Sequence, residues 1–110
     1  MRKIEATIDP RIFQDVREAL ARVGVTDIAL SDVRCTDAHG AHSEFYRGVE
    51  YRVDLVPKLQ LEVVIDDWSV DLVVKAITTA TEMPGGVGRV LVVPVEQVTS
   101  WEGETVHAAR

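Results

Sequence analysis

An α+β fold built from two strand–helix–strand halves follows from three observations on this 110-residue sequence. Strict apolar/polar alternation at residues 2–8 and 59–65 marks two strands with one buried face. Each leads through an acidic start into a stretch whose apolar residues recur at helical spacing. Each helix gives way to a further strand-like stretch, at residues 25–35 and 89–93. The order βαββαβ is that of a ferredoxin-like sandwich: an antiparallel sheet, two helices on one of its faces, and here a long loop between the second and third strands.

In the first strand Ile4, Ala6 and Ile8 alternate with Lys3, Glu5 and Thr7. Asp9-Pro10 then supplies an acceptor for free helix amides and a residue whose missing N–H is harmless in a first turn. Ile12, Phe13, Val16, Ala19, Leu20 and Val23 form one helical face, with Gly24 as a left-handed stop. In the second strand the apolar parity changes between Ile28/Leu30 and Val33/Cys35, so a bulge or a change of environment is expected there. Leu59, Leu61, Val63 and Ile65 resume alternation as an antiparallel partner of that strand. Asp66-Asp67 offers a cap to the second helix, whose inner face is Val70, Val73, Val74, Ile77 and Ala80. A glycine-rich connection follows, then a short buried strand at 89–93 ended by Pro94, a short strand at 97–101, and a mobile tail over about 102–110.

The chain is long enough for one domain, 1–110, and its 46% apolar content includes no run long enough to span a bilayer. A start that turns charged at once and a single cysteine, Cys35, imply a cytoplasmic protein with no disulfide framework. A net charge of −6 argues against nucleic acid and for a small ligand or a protein partner. An open sheet face with Val64 on it, and a last strand apolar on both sides, imply a subunit contact.

The connection over about 36–54 is far longer than the ~4–6 residues usual in compact domains. It carries Tyr46, Arg47, Gly48, Glu50 and Tyr51, residue types that favour contact with a partner.

The run Tyr46-Arg47-Gly48-Val49-Glu50-Tyr51, together with Lys3-Ile4-Glu5-Ala6, Arg17-Glu18-Ala19-Leu20, Val53-Asp54, Pro57-Lys58 and Pro94-Val95-Glu96, resembles the P-II signal-transduction family, the nitrogen regulatory proteins. The resemblance implies a homotrimer with adenine nucleotide in the clefts between subunits and a loop that docks on a target enzyme or membrane transporter. It implies Tyr51 as a nucleotidylated residue, the alternative being an aromatic contact that is never modified. It points to Cys35, Glu62, Val64, Gly86, Gly88 and Arg89 at the nucleotide, and to His39 and Lys58 at the effector. No cofactor is required; the ligand expected is ADP, AMP or ATP.

Departures from the family pattern fall at the phosphates. Ser100 and Glu102 stand where the family has two arginines, and Ala38 replaces a loop arginine. Fewer cations and one added carboxylate weaken a triphosphate site, because charge-assisted contacts are the strong ones. His39 replaces the family's Mg²⁺-holding glutamine, and imidazole suits this hard ion poorly. The role expected is therefore a divergent sensor in nitrogen metabolism, or in carbon, bicarbonate or metal transport. The alternative is a trimeric adaptor that has lost sensing.

Bland readings are preferred elsewhere. His39 and His42, near Asp37 and Glu44, read as solvated loop histidines and not as a metal site. Cys35 reads as a small core residue, and Asp66-Asp67 as a cap in place of an acid–base pair. No nucleophile–base constellation is present, so the chain reads as a non-enzyme.

Overall fold

Ile4, Ala6 and Ile8 are fully buried and sit at the centre of everything else, on strand β1 (Arg2–Ile8). The computed structural model describes residues 1–36, 42–46, 48–53, 55–82 and 88–103. After β1 come α1 (Phe13–Arg22), β2 (Ala29–Thr36), β3 (His42–Tyr46), β4 (Val49–Val53), β5 (Leu55–Ile65), α2 (Val70–Ala80) and β6 (Arg89–Pro94). The main sheet has the order β2-β5-β1-β6 with every neighbouring pair antiparallel. This is the ferredoxin-like α+β arrangement expected.

The core joins Ile4, Ala6 and Ile8 of β1 and Leu61 and Val63 of β5 to Val16 and Leu20 of α1 and Val73 and Ile77 of α2. Burying each large side chain contributes roughly 1.5–3 kcal/mol, so this set fixes which sheet face the helices cover. Asp9 caps the first turn as expected, its Oδ1 accepting from the Arg11 amide at 2.8 Å; with Pro10 inside it that turn is a short 3₁₀ segment. Gly24 stops α1 at φ +85°, while the Val25 amide donates to the Leu20 carbonyl and the Gly24 amide to the Ala21 carbonyl. That pair of bonds is a Schellman closure.

Several expectations are corrected. The register of β2 with β5 runs unbroken from Ala29↔Glu62 to Thr36↔Leu55, so no bulge interrupts it. The parity change is a change of face instead. Leu30 lies opposite Leu61 on the helix side but at the sheet edge, 44% exposed, whereas Val33 and Cys35 lie on the other face. Cys35 is therefore half-buried on the face away from the core, not inside it. β2 itself starts at Ala29, after an irregular stretch in which Val25 and Ile28 pack against the core.

β5 starts at Leu55, four residues earlier than alternation indicated, and includes Pro57. β1 ends at Ile8, opposite Leu59, so a proline at 57 forfeits no bond to β1. β6 is an edge strand and is not buried: Leu91 and Val92 are exposed on opposite faces. Residues 97–101 form no strand, and Trp101 is exposed. Asp66 makes no side-chain cap bond. Asp67 turns instead to the N-terminal amine at 2.8 Å and Arg2 Nε at 3.4 Å, cations that hold its carboxyl below the usual range.

The long connection has structure of its own. β3 and β4 pair antiparallel, from His42↔Val53 to Tyr46↔Val49, as a separate two-stranded sheet. Gly48, at φ +80°, takes the left-handed position that its turn requires. Of the tail expected over about 102–110, residues 104–110 lie outside the described residues, as do Ala38, His39, Arg47, Asp54 and Gly86.

Candidate functional site

Strand pairing assigns each residue of the sheet to a face, because directly opposed residues share one. Ile4, Ala6 and Ile8 face the helices, so Lys3, Glu5 and Thr7 face away. Their partners on β5 are Val64, Glu62 and Gln60, and on β6 Val93, Leu91 and Arg89. Continuing to β2, Glu62 opposes Ala29, Gln60 opposes Ser31, Lys58 opposes Val33, and Val56 opposes Cys35. Cys35, Lys58, Glu62, Val64 and Arg89, five residues singled out from sequence, thus lie on one face of the sheet, the face away from the helices and open among the described residues.

They are spread over five rows, one residue in each. Arg89 and Thr7 share a row with Gln60 and Ser31, and Lys58 lies one row further along β5. At a strand separation near 4.8 Å and a rise near 3.3 Å per residue, Arg89 and Lys58 are roughly 12 Å apart between Cα atoms. Both cations stand toward the end of the sheet where β1 finishes and β6 begins. β2 and β5 run past that end as a two-stranded ribbon carrying Val33, Cys35, Val56 and Lys58. Gly88 sits just before Arg89; a Cβ there would meet the Thr7 carbonyl oxygen at 3.4 Å, so the chain passes close to β1 at this point.

The charges near that end are few and partly engaged. Arg11 bonds both carboxylate oxygens of Asp9, with Nη2 to Oδ2 at 2.7 Å. Those bonds, above all, hold the Asp9 carboxyl at about 2, with Lys58 a lesser contributor. Lys58 is half-buried and Arg89 exposed. At the middle of the face Lys3 Nζ meets Glu5 Oε1 at 2.7 Å. An anion could therefore be met by Lys58 and Arg89, while Glu5 and Glu62 make the adjoining row acidic.

Other residues are not brought together with this set. Ser100 and Glu102 lie exposed in the irregular segment after β6. Tyr46, Gly48, Glu50 and Tyr51 belong to the β3–β4 hairpin, where Tyr51 opposes Glu44 and Glu50 opposes Phe45. His39, Arg47 and Gly86 fall outside the described residues. Thr7, Gln60 and Ser31, the polar row beside Arg89, were not singled out from sequence. Their signal was their parity, which becomes readable once β1 is registered against β5.

A family model for nitrogen regulatory protein P-II matches residues 1–104. The nitrogen regulatory protein P-II of Pasteurella multocida is 43% identical over 99 residues, which cover 89% of this chain and 88% of the relative. That of Haemophilus influenzae is 43% identical over 98 residues, 88% of each. Nitrogen regulatory protein P-II 1 of Escherichia coli K12 is 42% identical over 99 residues, 89% of this chain and 88% of the relative. Fold, open face and these likenesses define a signal-transduction regulator. The chain belongs to the P-II family, the nitrogen regulatory proteins. No described helix is long and apolar enough to cross a membrane.

Proposed function

We propose that this chain is a cytoplasmic, homotrimeric P-II regulator that responds to an adenine nucleotide and acts on a target enzyme or transporter through the segment that carries Tyr46, Arg47, Gly48, Glu50 and Tyr51. The observation that carries this reading is the gathering of Cys35, Lys58, Glu62, Val64 and Arg89 on one sheet face in a chain of this family. That face is apolar at Val64, Leu91 and Val93 and is the natural surface for a subunit contact. Glu62 and Val64 border the base, Cys35 lies near the nucleotide cleft, Gly86, Gly88 and Arg89 hold the phosphates, Lys58 and His39 meet the effector, and Tyr51 is the position open to nucleotidylation. The chain binds and signals, and carries out no turnover of its own.

Ser100 and Glu102 supply no cation where the family's phosphate contacts are expected, which favours ADP or AMP over ATP. The field served is nitrogen metabolism or, with the phosphate site so altered, carbon, bicarbonate or metal transport. The same two residues support a second reading, a trimeric adaptor without nucleotide sensing.

Isothermal titration with ATP, ADP and AMP, each with and without Mg²⁺, 2-oxoglutarate and bicarbonate, decides between these, alongside sedimentation for the assembly state. ADP or AMP binding that is indifferent to 2-oxoglutarate supports the divergent sensor. Tight ATP binding strengthened by 2-oxoglutarate makes it an ordinary nitrogen sensor. A trimer that binds none of the three is the adaptor, and a monomer overturns both readings.

A further inference from the structure

β1 ends at Ile8, opposite Leu59, but the chain stays extended for one residue more, with Asp9 at φ −66° and ψ 131°. Antiparallel register continued by that residue sets Asp9 beside Lys58, on the face that Thr7 and Gln60 share. The short 3₁₀ turn that Asp9 caps packs on β5 as well. A carboxylate and an ammonium thus stand together where the sheet narrows to the β2–β5 ribbon.

Asp9 is held in place there. Its Oδ1 accepts from the Arg11 amide at 2.8 Å, and the Arg11 guanidinium reaches both carboxylate oxygens at 2.7 to 3.2 Å. The Asp9 side chain is 23% exposed and that of Arg11 78%, so the carboxylate sits inward, toward the sheet, and its partner outward. With its carboxyl held at about 2 by these bonds, Asp9 is charged at neutral pH. Among the described residues no carboxylate lies within salt-bridge distance of Lys58. Lys58 therefore keeps its donors for a ligand, while Asp9 sets the charge beside them.

We propose, on the reading that Lys58 meets the effector, that Asp9 is a specificity-determining residue, a built-in carboxylate that lets Lys58 take a singly charged anion and turns dicarboxylates away. One carboxylate of a ligand bonds to Lys58. A second, on a short chain, comes near Asp9, where like charges on a half-buried surface repel. Arg89, the next cation on this face, is roughly 12 Å from Lys58 between Cα atoms, and under the same reading it is occupied by phosphate. It leaves that repulsion in place. Further along the face come Gln60, Glu62 and Glu5, neutral or acidic. The effector class expected is a small monoanion of carboxylate shape.

The test follows the side-chain ammonium resonances of ¹⁵N-labelled full-length chain. The sequence has only Lys3, Lys58 and Lys75, so Lys58→Arg identifies the Lys58 signal. The probes are 2-oxoglutarate and 2-oxopentanoate, the same chain without the second carboxylate, each added with and without ADP. They are titrated into wild type, into Asp9→Asn, which keeps the cap acceptor and removes the charge, and into Arg11→Gln, which keeps the charge and removes the ion pair. Before any probe is added, Asp9→Asn is expected to move the Lys58 signal and leave those of Lys3 and Lys75 in place. Wild type and Arg11→Gln should prefer 2-oxopentanoate, and Asp9→Asn should gain about tenfold in affinity for 2-oxoglutarate and little for the monoacid. A Lys58 signal indifferent to Asp9→Asn, a wild type that prefers 2-oxoglutarate, or an equal gain in Arg11→Gln overturns the proposal. If neither acid moves the Lys58 signal in any of the three proteins, Lys58 is not the effector's contact and the proposal falls with that reading; a Lys58 signal that still answers to Asp9→Asn tells this outcome from a misplaced Asp9.

Discussion

Glu5 and Glu62 stand directly opposite each other across the two central strands, on the face away from the helices, and Lys3 is bonded to only one of them, its Nζ 2.7 Å from Glu5 Oε1. The Lys3 ammonium is held above its ordinary range, first by that hydrogen bond and then by the charge of Glu5, with Glu62 contributing less. Like charges directly opposed in a sheet are unfavourable by a few tenths of a kcal/mol to about 1. Glu62→Gln is therefore expected to raise the urea midpoint slightly with m unchanged. A lower midpoint would show that the Lys3–Glu62 attraction outweighs the repulsion.

Asp9 serves as both cap and ion-pair partner, and the two roles separate by substitution. Asp9→Ala is expected to destabilise by about 1 kcal/mol at pH 7, the usual loss for a cap, and Asp9→Asn by less because its amide oxygen still accepts from the Arg11 amide. The folded carboxyl sits at about 2, below its ordinary 3.8, so its stabilisation is complete above about pH 4 and is lost as pH falls through 2. Denaturation of wild type and Asp9→Ala between pH 5 and 2 should show the two curves converging toward the acid end.

Two glycines with the same backbone sign should behave differently. Gly24 closes α1 at φ +85° and Gly48 turns the hairpin at φ +80°, and neither has an atom within 4 Å of an added Cβ. Alanine at either position is strained by roughly 1 kcal/mol through the backbone alone. Gly24→Ala should lower the melting temperature of the whole domain. Gly48→Ala should leave it unchanged, because β3 and β4 pair only with each other, while amide exchange in those strands accelerates.

Leu61 and Leu30 are cross-strand partners, yet the first is fully buried and the second 44% exposed. Leu61→Ala is expected to cost about 2–5 kcal/mol and Leu30→Ala under 1, read from equilibrium unfolding. Equal losses would mean that an assembly contact covers Leu30.

Under the proposed function Arg89 meets phosphate. Arg89→Ala should weaken ATP binding on the order of tenfold, ADP less and AMP least, since a charge-assisted bond is worth about 1.5–3 kcal/mol. A uniform loss across the three would place Arg89 at the base or the subunit contact.

Much of this was legible in the sequence because the central strands and both helices obey a single period each. β1, the inner faces of α1 and α2, and the Gly24 stop needed no partner to be recognised. β2 was harder: Leu30 and Val33 are both apolar, and only pairing with β5 reveals that they occupy opposite faces. Residues 55–58 broke the alternation with a proline, which hid the start of β5. The aspartates at 66 and 67 looked like caps because nothing local shows that the chain's first residues lie beside them. Glu62, Lys58 and Arg89 were reached through family resemblance; the polar row of Thr7, Gln60 and Ser31 required the register.

β5 outruns β1 by four residues, and this makes the protein a lever. From Leu59, where pairing with β1 ends, the β2–β5 ribbon continues for roughly 13 Å at strand rise with no strand paired to β5 on its β1 side among the described residues. A two-stranded ribbon twists more readily than a sheet, so the fulcrum lies at Ile8 and Leu59 and the arm beyond it is compliant. Lys58 is the first residue past the fulcrum. A tilt of about 10° there displaces the far end of the arm by only ~2 Å, but whatever is carried further out moves in proportion to its distance. Under the proposed function, in which Lys58 meets the effector, a small change in what it binds is geared up before it reaches a partner.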